Sequence, residues 1–351
     1  MSNFNIYFLF ALFCCFLDLG LCLSLPVVIT TWPFVNATSV AWSTITSPNT
    51  TSIDAVEAGC SQCEIEQCNF AVGWGSNPDE KGETTLDAMI MDGKTRNVGG
   101  VGALRRVTTA ISVARAVMER TTHTLLVGDQ ATDFALQIGF TEADLHSNRS
   151  IQMYTDWKQN NCQPNFWKNV KPDPTKSCGP YKPTPFPPES TRGQSPAVNK
   201  NMQIGFKYFN HDTIGMVVID DKRNVATGTT TNGLNHKIPG RVGDTPIMGA
   251  GSYADNDIGG AACTGNGDFM MRFLPSFHVV SMMKSGLSPG NATLTAIQEI
   301  NRFYPGCRAA IIAVNTQGQH GVACSGMGTF HYTIHGAEYD QTTVKEIQCI
   351  N

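Results

Sequence analysis

Apolar positions along this chain alternate between strand and helix spacing, with one long interruption. Val27, Val28, Ile29, Thr30 and Thr31 form a β-branched run that predicts a strand, ended by Trp32, Pro33 and Phe34. Helices are predicted over 37–45 and 52–63, the second capped by Ser52 with Glu57 and Glu64 on its wet side. Residues 71–74 and 84–91 read as strands across a turn-rich 75–79, and Asp92-Gly93 is a hairpin signal. Gly99, Gly100 and Gly102 are predicted to open a long helix over 103–120, where Val107, Ile111, Ala114, Val117 and Met118 recur at helical spacing. A strand over 121–127 and a helix over 130–138 follow.

The pattern stops near Gln159. Pro164, Pro172, Pro174, Pro180, Pro183, Pro185, Pro187 and Pro188 crowd a stretch without periodicity, which predicts a surface linker at about 171–210. It resumes abruptly. Residues 213–219 and 225–231 read as antiparallel strands across the turn 220–224. A glycine-rich loop begins at Asn232-Gly233, helices are predicted over 269–284 and 292–303, and strands over 308–315 and 321–335. Helices and strands interleave on both sides of the linker, which predicts an α/β protein.

The junction at His211-Asp212-Thr213 bears on chemistry. A threonine sits where loose chain meets a buried strand. Cutting the bond before it would leave Thr213 with a free α-amine beside its own hydroxyl. An α-amino group titrates at about 7.7–8.0, so it can serve as base to a hydroxyl that is otherwise a poor nucleophile. Three further stretches fit such a residue. Arg241 and Asp244 stand three apart among glycines, a spacing that lets a guanidinium clamp a carboxylate while a carboxylate accepts from an ammonium. A surface ion pair is the plainer reading of the two. The turn Thr264-Gly265-Asn266-Gly267-Asp268 offers backbone N–H groups and a hydroxyl for an oxyanion, with no lysine at P-loop spacing. Thr229, Thr230 and Thr231 end the strand beside the proposed nucleophile, although threonines are common β-formers.

Composition narrows the setting. Of 351 residues 41% are apolar and 15% charged, below the usual ~25%, and 33 are glycine, which suits a compact sheet-rich enzyme. The net charge of −4 is spread out, so neither nucleic acid nor an anionic membrane is an expected partner. Residues 4–16 are strongly apolar and small residues precede Ser24, which predicts a signal peptide over 1–24, although no Lys or Arg precedes the run and Asp18 interrupts its tail. Three of the twelve cysteines would leave with it. In an oxidising compartment the pairs Cys63–Cys68, Cys162–Cys178 and Cys324–Cys349 are expected, leaving Cys60, Cys263 and Cys307. A zinc site at Cys60-x-x-Cys63 is discounted because no second ligand pair follows, so no metal is expected. Asn36, Asn49, Asn148 and Asn291 head glycosylation sequons.

Taken in order, the motifs resemble those of the glycosylasparaginases (aspartylglucosaminidases), N-terminal-nucleophile hydrolases. The resemblance is carried by Thr31-Trp32-Pro33-Phe34, by the run from Gly82 to Gly93, by Thr121 to Gly128, by Asn161 to Asn165, by Cys178 to Tyr181, and by His211-Asp212-Thr213-Ile214-Gly215-Met216, Gly240 to Asp244 and Thr264 to Asp268. It implies a four-layer αββα sandwich without cofactor. It implies self-cleavage between Asp212 and Thr213 into an α chain (25–212) and a β chain (213–351), assembled as a dimer of αβ heterodimers. It implies lysosomal delivery, and hydrolysis of the amide joining N-acetylglucosamine to a free asparagine. Thr213 then matches the nucleophile, Thr231 the threonine that tunes it, and Asp212 the helper in cleavage. Arg241 and Asp244 match the substrate clamp, Thr264 and Gly265 the oxyanion hole with Gly267 in the same turn, and Trp32 an aromatic wall. The proline-rich linker, the residues 208–210, Cys263 beside Thr264 and the unpartnered Cys307 depart from the pattern. A plant-type asparaginase or isoaspartyl peptidase of the same superfamily is the alternative, but it usually carries Gly before the nucleophile and an early His-Gly-Gly run. A secreted binding protein that has lost catalysis is a further one.

Overall fold

The computed structural model describes residues 24–185 and 212–350. The signal peptide up to residue 23, the linker beyond residue 185 and His211 lie outside the described residues. In chain order the strands are β1 Val27–Thr31, β2 Leu86–Asp92, β3 Val98–Leu104, β4 Leu125–Val127, β5 Val170–Lys171, β6 Lys182–Pro183, β7 Ile214–Ile219, β8 Val225–Thr231, β9 Ser252–Asp255, β10 Gly259–Gly265, β11 Ala309–Asn315, β12 His320–Ser325, β13 Thr329–Gly336 and β14 Thr343–Gln348. The helices are α1 Val35–Ile45, α2 Ser52–Glu66, α3 Ala110–Arg120, α4 Gly128–Gln137, α5 Asn148–Gln159, the short α6 Gly267–Met270, α7 Pro275–Lys284 and α8 Pro289–Phe303.

Eight strands form one sheet in the order β14-β13-β1-β7-β8-β2-β3-β4, and four form a second in the order β12-β11-β10-β9. Within the large sheet only β3 and β4 run parallel. The alternation along each strand separates three apolar layers. Ile214, Met216 and Val218 of β7 point into one with Val28, Ala88 and Ile90, under α1, α2 and α3. Val217 and Ile219 point the other way and meet Ala262, Ala310, Ile312 and Val314 of the small sheet. The opposite faces of β10 and β11, Ala261, Cys263, Ala309, Ile311 and Ala313, pack under α7 and α8. Strands buried on both faces read as continuous apolar runs, which is why β7 and β11 carry so few polar residues. The result is the αββα sandwich.

Several local expectations fail for identifiable reasons. Residues 99–104 continue β3 rather than open a helix: a Cβ at Gly99 would lie 2.0 Å from Ala114 O, so this glycine lets α3 sit directly on the strand, while Gly100 and Gly102 face β4 and the loop carrying Val242 and Pro246. Residues 71–74 form bends, with Gly73 at φ 77°. The predicted helix 269–284 is split where Leu274 turns left-handed (φ 47°) and Pro275 starts α7. Only Leu125–Val127 of 121–127 pairs as strand. The helix α5 and the strands β9 and β14 have no counterpart in the expectations. The predicted linker is anchored as far as residue 185. Cys162–Cys178 closes it, β5 pairs with β6, and Trp167 Nε1 donates to Glu80 Oε2 at 2.8 Å. Disulfides also join Cys63 to Cys68 and Cys324 to Cys349, while Cys60, Cys263 and Cys307 are free and buried.

Glu64 is not on the wet side of α2. It is 1% exposed. Its Oε1 accepts from Ile111 N at 2.9 Å, at the start of α3, and from the Thr230 hydroxyl at 2.6 Å. Burial raises its pKa to about 8, against these two hydrogen bonds. The fold thus holds a proton that the unfolded chain releases above about 4.5, so this group's contribution to stability falls as pH rises from about 4.5 to about 8. Glu64→Gln imitates the protonated form. The variant is expected to gain in thermal midpoint relative to wild type as pH rises from 5 to 8; parallel curves would remove the assignment.

Candidate active site

Thr213 is the last residue before β7, and its neighbours hold it from both sheets. The Thr31 hydroxyl donates to Thr213 O at 2.8 Å and accepts from Gly215 N at 2.8 Å, so β1 fixes the backbone on either side of Ile214. Thr264, near the end of β10 in the other sheet, accepts from Thr213 N at 3.1 Å and from Trp32 Nε1 at 3.0 Å. At the end of β8, the Thr231 hydroxyl faces two carbonyl oxygens, Ala71 O at 3.0 Å and Asp212 O at 3.2 Å, and accepts from Gly233 N at 3.0 Å. The peptide bond between Asp212 and Thr213 is therefore bracketed: one threonine hydroxyl stands at its oxygen and another at its nitrogen. Asp212 is itself buried, and its Oδ2 accepts from Asn69 Nδ2 at 3.1 Å. Burial raises the Asp212 pKa, opposed by the Asn69 hydrogen bond and the Arg308 charge.

A small recess opens beside this bond, lined by Thr213, Thr231, Gly233, Leu234, Arg241, Gly243, Asp244, Thr245, Gly265 and Gly267. The structure thus brings Thr213, Thr231, Arg241, Asp244, Gly265 and Gly267 together. Thr264 stands behind that wall, and so does Trp32, which gives its indole N–H to Thr264 and packs edge-on against Phe330. Arg241 meets Asp268 through Nε at 3.2 Å and Nη2 at 3.0 Å. Asp244 is 3% exposed, with no hydrogen-bond partner for Oδ2 among the described residues. Burial pushes its pKa up to about 7, against the pull of Arg241. Gly267 is required beside it, since a Cβ there would lie 2.6 Å from Asp244 Oδ1. A guanidinium and an unsatisfied carboxyl on one small recess suit a ligand that carries both an anion and a cation. A hydroxyl beside bracketed main-chain polar groups suits acyl transfer.

Four supporting residues were not singled out individually from the sequence. Thr31 and Asn69 act as described. Asp87 accepts from Ala103 N at 2.7 Å and from Gly243 N at 3.5 Å, tying β2 to the loop that carries Arg241. Lys237 is 1% exposed, and its Nζ donates to Asn232 O at 2.6 Å and Thr85 O at 3.4 Å. Burial lowers its pKa to about 8, against the charge of Asp87. The signal for Asp87 was in plain view, as a charge within an apolar strand. Lys237 follows a loop with no periodicity, so nothing marks it. Trp157 of α5 stacks on His236 with ring centroids 4.8 Å apart, bracing the same loop.

A family model described as asparaginase matches residues 25–344. An N(4)-(beta-N-acetylglucosaminyl)-L-asparaginase of Rattus norvegicus is 50% identical over 329 residues, covering 93% of this chain and 92% of that protein. One of Mus musculus has the same identity and coverage. A putative N(4)-(beta-N-acetylglucosaminyl)-L-asparaginase of Drosophila melanogaster is 48% identical over 332 residues, covering 93% of this chain and 83% of that protein.

Asp87→Ala would leave Ala103 N unpaired and remove the buried carboxylate that most favours the protonated form of Lys237. The expected cost is about 3 kcal/mol or more, read as a lower denaturation midpoint. An unchanged midpoint would mean that the loop is held without it.

Proposed function

The chain belongs to the asparaginase family, and we propose that within it the protein is an N4-(beta-N-acetylglucosaminyl)-L-asparaginase, hydrolysing the amide between N-acetylglucosamine and the side chain of a free asparagine. The observation that carries the reading is the bracketed Asp212–Thr213 bond on the wall of a recess that also presents Arg241 and Asp244. On this reading the chain cuts itself there, into an α chain of residues 25–212 after loss of a signal peptide and a β chain of residues 213–351.

Cleavage gives Thr213 an α-amine. That amine takes the proton as the Thr213 hydroxyl attacks the side-chain carbonyl of the substrate, and the oxyanion forms against Thr264 and Gly265. Thr231, on the same wall of the recess, keeps the hydroxyl oriented. Arg241 exchanges its bond to Asp268 for the substrate α-carboxylate, and Asp244 takes the α-ammonium. The leaving 1-amino sugar departs with the proton, and water then hydrolyses the aspartyl ester to free aspartate and Thr213. Such a clamp explains why proteolysis would come first, since an asparagine within a chain has neither terminal charge.

We place the enzyme in the lysosome, reached by the secretory route, with Asn36, Asn49, Asn148 and Asn291 as glycan acceptors. No described helix is long and apolar enough to cross a membrane. We further propose a dimer of αβ heterodimers. The exposed Leu125 and Val127 on the edge strand β4 support an interface there, alongside Val242.

Intact mass is expected to give two fragments for the wild type, one beginning at Thr213, and a single chain for Thr213→Ala. A wild-type chain that stays whole would end the proposal. In the cleaved enzyme Arg241→Ala is expected to lower kcat/KM for glycosylated asparagine about 100-fold, as for loss of a charge-assisted bond, and to abolish discrimination against the α-amide of the same substrate. Retained discrimination would remove Arg241 from the carboxylate.

A further inference from the structure

The stretch 67–71 bends sharply. Gln67, Asn69 and Phe70 have φ values of 53°, 48° and 55°, three non-glycine residues in the left-handed region within four positions. Asparagine tolerates that region; glutamine and phenylalanine rarely occupy it, and they do so where surrounding contacts impose it. Here the contacts are visible. The Cys63–Cys68 disulfide ties the bend to α2, Gln67 Nε2 donates to Trp74 O at 2.8 Å, and the Arg149 guanidinium lies 4.0 Å over the Phe70 ring.

The bend places one contact on the Asp212 side chain and one on the threonine hydroxyl at the Asp212 carbonyl. Asn69 Nδ2 reaches Asp212 Oδ2 at 3.1 Å, although Asn69 is itself exposed and Asp212 buried. Ala71 O shares with Asp212 O the hydroxyl of Thr231. Of the described residues, Asn69 and Arg308 are the groups that favour the ionised Asp212 carboxyl against its burial.

We propose that Asn69 is a positioning residue for self-cleavage, its side-chain amide holding the Asp212 carboxylate where it takes the proton from the Thr213 hydroxyl. The inference rests on the self-cleavage proposed above. In the step, Thr213 Oγ attacks the Asp212 carbonyl carbon and its proton passes to the Asp212 carboxylate. The C–N bond breaks, with that proton delivered to the leaving Thr213 nitrogen, and an ester remains. Water then adds its hydroxyl to the Asp212 carbonyl carbon and returns a proton to Thr213 Oγ. Once the bond is cut, Asp212 is a chain terminus and Asn69 has no further part in turnover. The residue therefore separates maturation from catalysis.

The test compares Asn69→Gly and Asn69→Asp with wild type. Glycine keeps the left-handed backbone without a donor, and aspartate keeps the shape while replacing the donor with an acceptor. Chains are synthesised into microsomal vesicles clamped at a series of pH values, and cut chain is followed over time. Both variants are expected to cleave about tenfold more slowly, in line with loss of a hydrogen bond to a charged group. Because the amide favours the ionised carboxyl, the acid limb of the rate profile is expected at higher pH in both, further in Asn69→Asp. Fully cut enzyme from each variant is expected to keep wild-type kcat and KM. A wild-type rate and profile in Asn69→Gly would overturn the inference, as would equal loss of cleavage and turnover. A wild-type chain that is never cut would instead defeat the self-cleavage reading.

Discussion

A Cβ on Gly215 would stand 2.9 Å from the Cβ of Ala262 and 3.2 Å from Cys263 O. The two sheets therefore approach at this point closely enough that one of the facing positions must lack a side chain. The consequence is local and large. With β7 pressed against β10, the Thr264 hydroxyl comes within 3.1 Å of Thr213 N, and the Trp32 indole behind it closes the same contact from β1. A site assembled from two sheets needs their separation fixed to a fraction of an ångström. Packing an alanine against a glycine does that without a polar group between the layers, because the surrounding Val217, Ala310 and Ile312 leave no slack.

Charge is arranged around the recess rather than within one ion pair. Asp87, Lys237, Arg241, Asp244 and Asp268 lie on three neighbouring segments, and only Arg241 and Asp268 form a salt bridge within 4.0 Å among the described residues. Lys237 rests on carbonyl oxygens, Asp87 on main-chain N–H groups, and Asp244 keeps one oxygen without a partner. Lys237 and Asp87 are thereby stabilised by backbone dipoles that cannot leave, while Arg241 and Asp244 form no ion pair with each other. Had those two paired directly, a bound zwitterion would first have to break a desolvated salt bridge, at considerable cost.

The strands flanking the site could be read from the chain because both their faces are buried, so that 214–219 and 309–314 carry no polar side chain. The clustered site residues could be read because glycine marks close approach: Gly267 leaves room for Asp244, and Gly243 for the Arg241 guanidinium. Glycine also misled. Gly99, Gly100 and Gly102 suggested a helix start, yet their role is to admit a helix and a loop against a strand, a tertiary demand that no local pattern encodes. Glu64 failed for a related reason. Its spacing on α2 suits a wet face, but α3 covers that face and takes the carboxyl as its N-terminal acceptor. Lys237 and Asn69 were illegible because each works through contacts set by the fold alone.

The segments on either side of Asp212–Thr213 meet that bond very differently. Downstream, Thr213 continues into β7, whose every residue is buried and whose backbone is paired with β1 and β8. Upstream, Asp212 is held by side-chain contacts: Asn69 on its carboxyl and the Thr231 hydroxyl at its carbonyl. A bond with one rigid side and one lightly held side suits a single irreversible event. Among the described residues, displacing the carbonyl carbon toward an attacking oxygen works against these side-chain hydrogen bonds, while the nucleophile stays in register with the sheet. After such an event, withdrawal of the upstream end would leave Thr213 facing the recess with its hydrogen-bonding neighbours Thr31 and Thr264 already in place and Thr231 on the same wall.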